Sequence, residues 1–282
     1  MDLPINIVIC ANDEYGDYAA ALTASIFENS SSRGDIHIHL FNRQKDSITS
    51  SRLQEIVSRY GGKLDQYHLL EASYRELPAK DYKSLDAYSR HIAPRMVLGE
   101  PSKLIYLDID MIVRSDLRDL ISIDLGDNTI GAIRDLEYEK GEGKSPLFNS
   151  GVMVIDVKRW KERKIEEQVL LEIRHSKGGI VPLADQDDLN EILHNDWFEL
   201  PLKWNTMSGN IYAGVMHVKD ACIIHFNGGT IHKPDHILCV NPGKSDYFKY
   251  LKLSNHQLLP IFYMPTAISK LLLFLSHLLM LQ

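Results

Sequence analysis

No stretch constrains the fold as much as Lys103 to Leu117, KLIYLDIDMIVRSDL. Its start, Leu104 to Leu107, is β-branched and aromatic enough for a buried strand. It then presents two carboxylates, Asp108 and Asp110, separated by a single residue. Acids at the end of a hydrophobic strand are unusual. Side chains at i and i+2 face the same way, roughly 7 Å apart on a straight strand. If the strand curls as it leaves the sheet, both can converge on a hard divalent cation that keeps water in its remaining positions. Such a cation suits a diphosphate ligand. The plainer alternative is that one Asp caps the next turn and the other faces solvent.

The chain before this strand alternates strand and helix. Ile5 to Cys10 is an apolar run suited to a parallel strand, and Tyr18 to Ser30 is an alanine-rich helical stretch with Leu22 and Ile26 at i and i+4. ANDEYG between them is the kind of strand-to-helix loop where open α/β sheets bind ligands. There is no G-x-G-x-x-G, so the dinucleotide fingerprint is absent. IHIHLFN (36–42) alternates as a strand, with His37 and His39 opposite Ile36, Ile38 and Leu40; these read as strand-surface or internally satisfied histidines. Ser47 to Tyr60 reads as a helix closed by Gly61-Gly62, and QYHLL as the returning strand. These are βαβ units, and the expected class is α/β with one mixed, mostly parallel sheet flanked by helices.

Composition narrows the function. A chain of 282 residues can bury a sizeable core. A formal charge of −7 argues against a nucleic-acid footprint. Cys10, Cys222 and Cys239 read as buried thiols in a reducing compartment. MDLPINIVIC lacks a basic region followed by a long apolar core, so the expected location is the cytosol.

Ser84 to Leu98 reads as a helix kinked near Pro94 and carrying Tyr88, Arg90 and Arg95. Thr129 to Ile133 is a short strand ending at Arg134-Asp135, and Glu137 to Pro146 is a polar loop. Asn149, Ser150 and Gly151 precede a strand over Val152 to Val157. Trp160 to Ile173 reads as one amphipathic helix running toward Gly178-Gly179. Asp185 and Gln186 lead a helix carrying Leu189, Ile192 and Leu193, where Asp185 is either the N-cap or a working acid.

IYLDIDMIV followed by SDL resembles the Asp-x-Asp region of the retaining glycosyltransferases of family 8. INIVICANDEYGDYAAALTASI, FNSGVMVIDVKRW with LADQDDLN, and IIHFNGGTIHKPD fall in the family's order, so the resemblance covers roughly residues 5 to 235. It implies a GT-A fold and transfer of glucose or galactose from a UDP-sugar, with retention, to a hydroxyl of a saccharide in lipopolysaccharide or another cell-surface glycan. It implies a cation, manganese or else magnesium, held by Asp108, Asp110 and His225. Cys10, Asn12, Tyr15, Arg90, Gly228 and Lys233 would bind the nucleotide, Tyr15 by stacking on uracil, Asn12 at its edge, and Gly228 and Lys233 at the diphosphate. Asp135, Asn149, Asp185 and Gln186 would serve the sugar and the reaction, and a short strand with Trp204 and Asn205 would run behind the site. Two positions depart from the pattern: Asn12 stands where Asp is usual, and Asp235 follows Lys233-Pro234 where an aromatic is usual.

The expected organisation is a catalytic domain over 1–244 and an apolar extension over 245–282. Pro260 and Pro265 divide its apolar run, leaving Thr266 to Leu281 as about 24 Å of helix against a bilayer core of roughly 30 Å. An in-plane helix or one packed on the domain fits better, and peripheral membrane attachment near a lipid-linked acceptor is the expectation. A UDP-sugar hydrolase and a catalytically silent nucleotide-sugar binder are the rival readings. Turnover without acceptor marks the first, and metal-dependent UDP binding without sugar release marks the second.

Overall fold

The computed structural model describes residues 4–44, 47–68, 82–137, 146–175 and 184–254, with the side chains of 82–88, 173–175 and 184–185 outside that description. Strand β1 (Ile5–Cys10) is buried along its whole length. A short 3-10 turn leads from it into α1 (Gly16–Glu28). β2 (Ile36–Asn42) and β3 (Lys63–His68) extend the parallel pairing outward from β1. Between them α2 (Ile48–Tyr60) begins at Ser47, whose hydroxyl accepts the Ser50 N–H, and stops at Gly61. Side-chain capping of this kind satisfies a donor that the first helical turn leaves unpaired.

Helix α3 (Tyr82–Met96) carries Pro94 and leads to β4 (Lys103–Leu107), which pairs parallel with β1. The chain then leaves the main sheet through Asp108–Asp110 and forms β5 (Met111–Val113) and α4 (Leu117–Ile121). β6 (Ile130–Arg134) and β7 (Phe148–Asp156) return antiparallel to each other. Helices α5 (Val157–Glu162), α6 (Ile165–His175) and α7 (Ala184–Ile192) follow, then β8 (Trp197–Glu199), β9 (Thr206–Met207), α8 (Ser208–Tyr212), β10 (Ile223–His225) and α9 (Lys244–Leu253).

Among the described residues the main sheet has seven strands in the order β3-β2-β1-β4-β7-β6-β8, and a second sheet has three, β5-β10-β9. The main sheet is mixed and mostly parallel, as expected; the three-stranded sheet adds to that picture. Alternation along β1 divides the core. Ile5, Ile7 and Ile9 face Leu22 and Ile26 of α1 and Leu53 and Val57 of α2. Val8 and Cys10 belong to the opposite face with Ile92 of α3, Trp160 of α5, Val169 of α6 and Leu189 of α7. Each face buries apolar side chains from both layers, which is the dominant stabilising contribution.

Three expectations change. The strand expected to start at Val152 starts at Phe148, so Asn149, Ser150 and Gly151 lie inside β7. Its register with β6 jumps from Ala132↔Met153 to Ile133↔Asn149, a bulge of the kind that re-aims side chains beside functional sites. The single helix expected over Trp160 to Ile173 is two, because Lys164 takes φ 53 and turns the chain. The first ten residues of the extension expected from residue 245 pack on the fold. Tyr247, Phe248, Tyr250 and Leu251 of α9 are buried against Ala21 and Ala24 of α1 and against Ile112 and Ile224 of the small sheet. Arg52 and Arg59 of α2 donate to Ser254 Oγ at 3.0 Å and to the Leu253 carbonyl at 2.9 Å, so the chain is docked to Ser254. Its spaced aromatics need an apolar partner surface, and α1 with the small sheet supplies it. No helix among the described residues is long and apolar enough to cross a membrane. The apolar run from Leu258 lies outside the described residues, as do Gly178-Gly179 and most of the loop expected over Glu137 to Pro146.

Candidate active site

The carboxyl ends of β1 and β4 open onto a cleft of about 970 Å³. Cys10, Asn12, Tyr15, Arg90, Asp108, Asp110, Gly228 and Lys233 all line it, eight of the thirteen residues singled out from sequence. Two backbone links set its floor. The Asp108 N–H donates to the Gly151 carbonyl at 2.8 Å, and the Phe226 N–H donates to the Asp110 carbonyl at 2.9 Å. The first ties the β4–β5 turn to the bulged strand β7. The second, with the His225↔Met111 register of β10 on β5, brings His225 beside Asp110.

Each carboxylate has one oxygen held and one turned toward His225. Asp108 Oδ1 accepts from Arg90 Nη2 at 3.1 Å and from the Tyr106 hydroxyl at 2.8 Å, while Oδ2 lies 3.9 Å from His225 Nε2. Asp110 Oδ2 accepts from Lys233 Nζ, while Oδ1 lies 3.3 Å from the same Nε2. Burial pushes the Tyr106 phenol well above its ordinary value, so it stays protonated and donates. Burial alone would raise the Asp110 carboxyl, but the His225 imidazole and the Lys233 ammonium outweigh it and hold the group well below the usual carboxylate range.

The imidazole is itself oriented. Asn149 Oδ1 accepts the Gly151 N–H at 3.1 Å and Asn205 Nδ2 at 2.8 Å, so Asn205 turns its own oxygen to His225 Nδ1 at 2.9 Å. That oxygen requires the hydrogen on Nδ1, which leaves Nε2 to face two carboxylate oxygens. Positive charge belongs between Nε2 and these two anions: a proton on Nε2, as in the arrangement that holds Asp110 low, or a cation that takes that proton's place. The three donor atoms sit within 4.8 Å of one another. Two carboxylate oxygens and one imidazole nitrogen suit a divalent cation with open positions, and these residues fit one. Gly151 is needed for close approach: a Cβ there would lie 2.7 Å from His225 Cε1 and 2.8 Å from Asp108 Oδ2.

Asp135, Asn149 and Gln186 form a second, buried group. Asn149 Nδ2 donates to Gln186 Oε1 at 3.1 Å and to Asp135 Oδ2 at 3.4 Å, and Gln186 Nε2 reaches Asp135 Oδ2 at 3.4 Å. Through Asn149 and Asn205 this group is hydrogen-bonded to His225. Asp185 is the second residue of α7, beside Gln186, with its side chain outside the described residues.

Other expected residues have structural work as well. Arg90 is buried over the Tyr106 ring, 4.7 Å from its centroid, and also donates to Ser150 Oγ at 2.6 Å. Arg95, the other arginine of α3, pairs with Glu166 at 2.9 Å and is largely exposed, as a surface cation does. Asn12 Oδ1 caps the turn after β1 by accepting the Glu14 N–H at 3.0 Å. Gly228 takes φ 93, a left-handed conformation that glycine adopts without strain. Trp204 and Asn205 do not form a strand; Trp204 ends a 3-10 turn and Asn205 follows it.

Sequence reading passed over Tyr106 and Tyr18. Tyr106 stands at i−2 from Asp108 and hence on its side of the strand, a signal that was available. Tyr18 was read only as a helix start; its hydroxyl donates to Asp235 Oδ1, so the residue that departs from the family pattern ties the loop after β10 to α1 across the cleft.

The sequence profile of glycosyl transferase family 8 matches residues 6–235. The chain belongs to glycosyl transferase family 8. It is thus a glycosyltransferase. Family relatives include General stress protein A of Bacillus subtilis (strain 168), 26% identical over 268 residues that cover 88% of this chain and 93% of that protein. The lipopolysaccharide 1,2-glucosyltransferase of Escherichia coli (strain K12) is 25% identical over 279 residues, covering 89% and 79%. The chain spans about a third of a third relative, glycosyltransferase GlyF of Streptococcus pneumoniae, at 35% identity over 150 residues. Among solved structures, galactosyltransferase LgtC in complex with donor and acceptor sugar analogs superposes with a TM-score of 0.76 over 91% of this chain and 98% of that one, at 23% identity. The GT-A fold expected from the resemblance is the fold observed.

Proposed function

We propose that this family 8 enzyme moves glucose or galactose from a UDP-sugar to a hydroxyl of a saccharide acceptor in a cell-surface glycan, with retention at the anomeric carbon. The observation that supports it most is the inward turn of Asp108 Oδ2, Asp110 Oδ1 and His225 Nε2 beside a cleft large enough for a nucleotide-sugar. These three side chains would hold manganese or magnesium. When bound, the cation offsets charge on the diphosphate as it leaves. Tyr15 offers a face to uracil. Lys233 Nζ already donates to Asp110 and to the Phe226 carbonyl at 3.1 Å, and an ammonium has a further hydrogen for a phosphate oxygen. Gly228 permits backbone approach to the same phosphates. Asn149, Asp135 and Gln186 supply donors and acceptors for sugar hydroxyls, and Asp185 precedes Gln186 in the first turn of α7. An amide is a poor nucleophile, which favours attack from the face of departure over a covalent sugar intermediate.

The residue 255–282 segment, with its run Leu271 to Leu275, is proposed as a membrane-surface anchor near a lipid-linked acceptor on the cytoplasmic face, residues 4–254 carrying the catalytic fold. A chain ended at Ser254 is expected to keep UDP binding and lose co-sedimentation with lipid vesicles.

Mass analysis of products from UDP-glucose and UDP-galactose with saccharide acceptors tests the main reading. The expected outcome is one added hexose, dependent on a divalent cation and on acceptor. Equal sugar release without acceptor identifies a hydrolase, and UDP binding without any release identifies a silent binder.

A further inference from the structure

A second cluster of titratable groups lies toward the amino ends of β2 and β3, whereas the cleft lies at the carboxyl ends of β1 and β4. His37 and His39 stand at i and i+2 on β2 and share a face, and Asp65 is the register partner of His39 on β3. His37 Nε2 lies 2.9 Å and His39 Nδ1 3.9 Å from the same oxygen, Asp65 Oδ2. All three donor atoms fall within 4.8 Å of one another.

The buried ring is fixed by its neighbours. Asn6 Nδ2 donates to the Pro4 carbonyl at 3.3 Å, which turns Asn6 Oδ1 to His39 Nε2 at 3.0 Å. Nε2 therefore carries the hydrogen, and Nδ1 presents its lone pair toward Asp65 and the Tyr67 hydroxyl, 3.2 Å away. Burial keeps this imidazole neutral, lowering its pKa to about 4. Metal-bound histidines typically donate their second ring N–H to an oxygen in this way, which sets the tautomer and the ring plane. The site has a way in: the side chain of Asp65 is 41% exposed and that of His37 20%.

We propose that His37 Nε2, His39 Nδ1 and Asp65 Oδ2 form a zinc site that clips edge strand β3 to β2. Two imidazoles and a carboxylate are zinc ligands, and three protein ligands leave one tetrahedral position for water. The hydrogen-bonded His37–Asp65 pair is what the site looks like without the ion: on binding, the hydrogen of neutral His37 moves through solvent from Nε2 to Nδ1, the Tyr67 hydroxyl releases His39 Nδ1, and the metal takes the place of the shared hydrogen. The inference is independent of the function assigned to the cleft.

The test is equilibrium dialysis of the full chain against buffered zinc, followed by metal analysis, on the parent, Asp65→Asn, His37→Gln and Asp108→Asn. Asp65 and His37 are partly exposed, so these variants are expected to fold. The parent is expected to bind zinc at the cleft and at this cluster. Asp65→Asn and His37→Gln each retain one equivalent fewer, with affinity at the cluster reduced by more than the roughly tenfold to hundredfold that outer partners alone are worth. Asp108→Asn retains the cluster's zinc. If either of the first two variants misfolds, Asp108→Asn still decides the matter. Zinc content equal in the parent and in Asp65→Asn, or no zinc in Asp108→Asn, overturns the proposal and leaves a plain histidine–aspartate contact.

Discussion

The molecule carries two clusters built from similar parts. In each, a buried histidine gives one ring nitrogen to an asparagine oxygen, Asn205 for His225 and Asn6 for His39, and turns the other toward carboxylate. They differ in how the carboxylates are held. At the cleft, Arg90 and Tyr106 fix Asp108 and Lys233 fixes Asp110, so both free oxygens are aimed before any ligand arrives. At the β2–β3 cluster, among the described residues, Asp65 accepts a hydrogen bond from His37, has His39 3.9 Å away, and is 41% open to water. A clamped pair of acids is prearranged to hold a cation in one geometry while a charged substrate exchanges over it, and the aimed donors need no reorganisation during reaction. A loosely held acid suits an ion that stays, or none. The chemistry thus follows less from which residues are present than from what occupies their other atoms.

The largest expected effect tests the clamped side of this comparison. Asp110→Asn is expected to lower transfer about a thousandfold, equivalent to about 4 kcal/mol of lost charge stabilisation, with a melting temperature near the parent's. Transfer rates across a manganese titration check it, and parent-like turnover in the variant would sink the cation assignment.

Gly151→Ala probes the geometry with every ligand left in place. The added methyl meets His225 and Asp108 at 2.7 and 2.8 Å, so the donors must move apart. A displacement of that order is expected to lower kcat/KM about a hundredfold. A drop confined to thermal stability would mean that the strand, and not the ligand geometry, is what the glycine serves.

Asn205→Leu removes the oxygen that sets the His225 tautomer, and metal affinity is expected to fall about tenfold to a hundredfold. Asn205→Asp keeps an acceptor at Nδ1 but loses the donor to Asn149 Oδ1, so a smaller loss than in Asn205→Leu is expected, a partial rescue that a purely structural role would not show. Calorimetric manganese titration separates the two.

The smallest effect marks the other cluster. Asp65→Asn is expected to leave kcat and KM for transfer within about twofold, since substitutions distant from a site act independently of it. A large loss of transfer would show that the two clusters are coupled and erase the distinction drawn between them.

Much of this site was legible one segment at a time. The Asp108–Asp110 spacing, the turn after β1 with Asn12 and Tyr15, and Gly228 and Lys233 after β10 are short-range patterns, and they do line one cleft. Ser47 and Gly61 mark the ends of α2 for the same reason, since caps and backbone conformation are decided within a few residues. The roles of Arg90 and Asn205 were not legible in that way. A guanidinium on α3 was expected at the nucleotide; it lines the cleft and also holds Asp108 and Ser150, and an asparagine expected behind the site proves to orient His225.

What the sequence alone determined, then, is the alternation of strands and helices, the α/β class and the identity of the chemical groups, because hydrophobic periodicity and turn chemistry act over neighbouring residues. Tertiary structure decided the rest. It drew Phe148 to Gly151 into a bulged strand and docked α9 through Ser254. It also chose which oxygen of each acid is held and which is offered. Those choices depend on hydrogen bonds between residues 18, 56 and 123 positions apart, from Arg90 to Asp108, Asn149 to Asn205 and Asp110 to Lys233, and such contacts form only when the whole sheet has assembled.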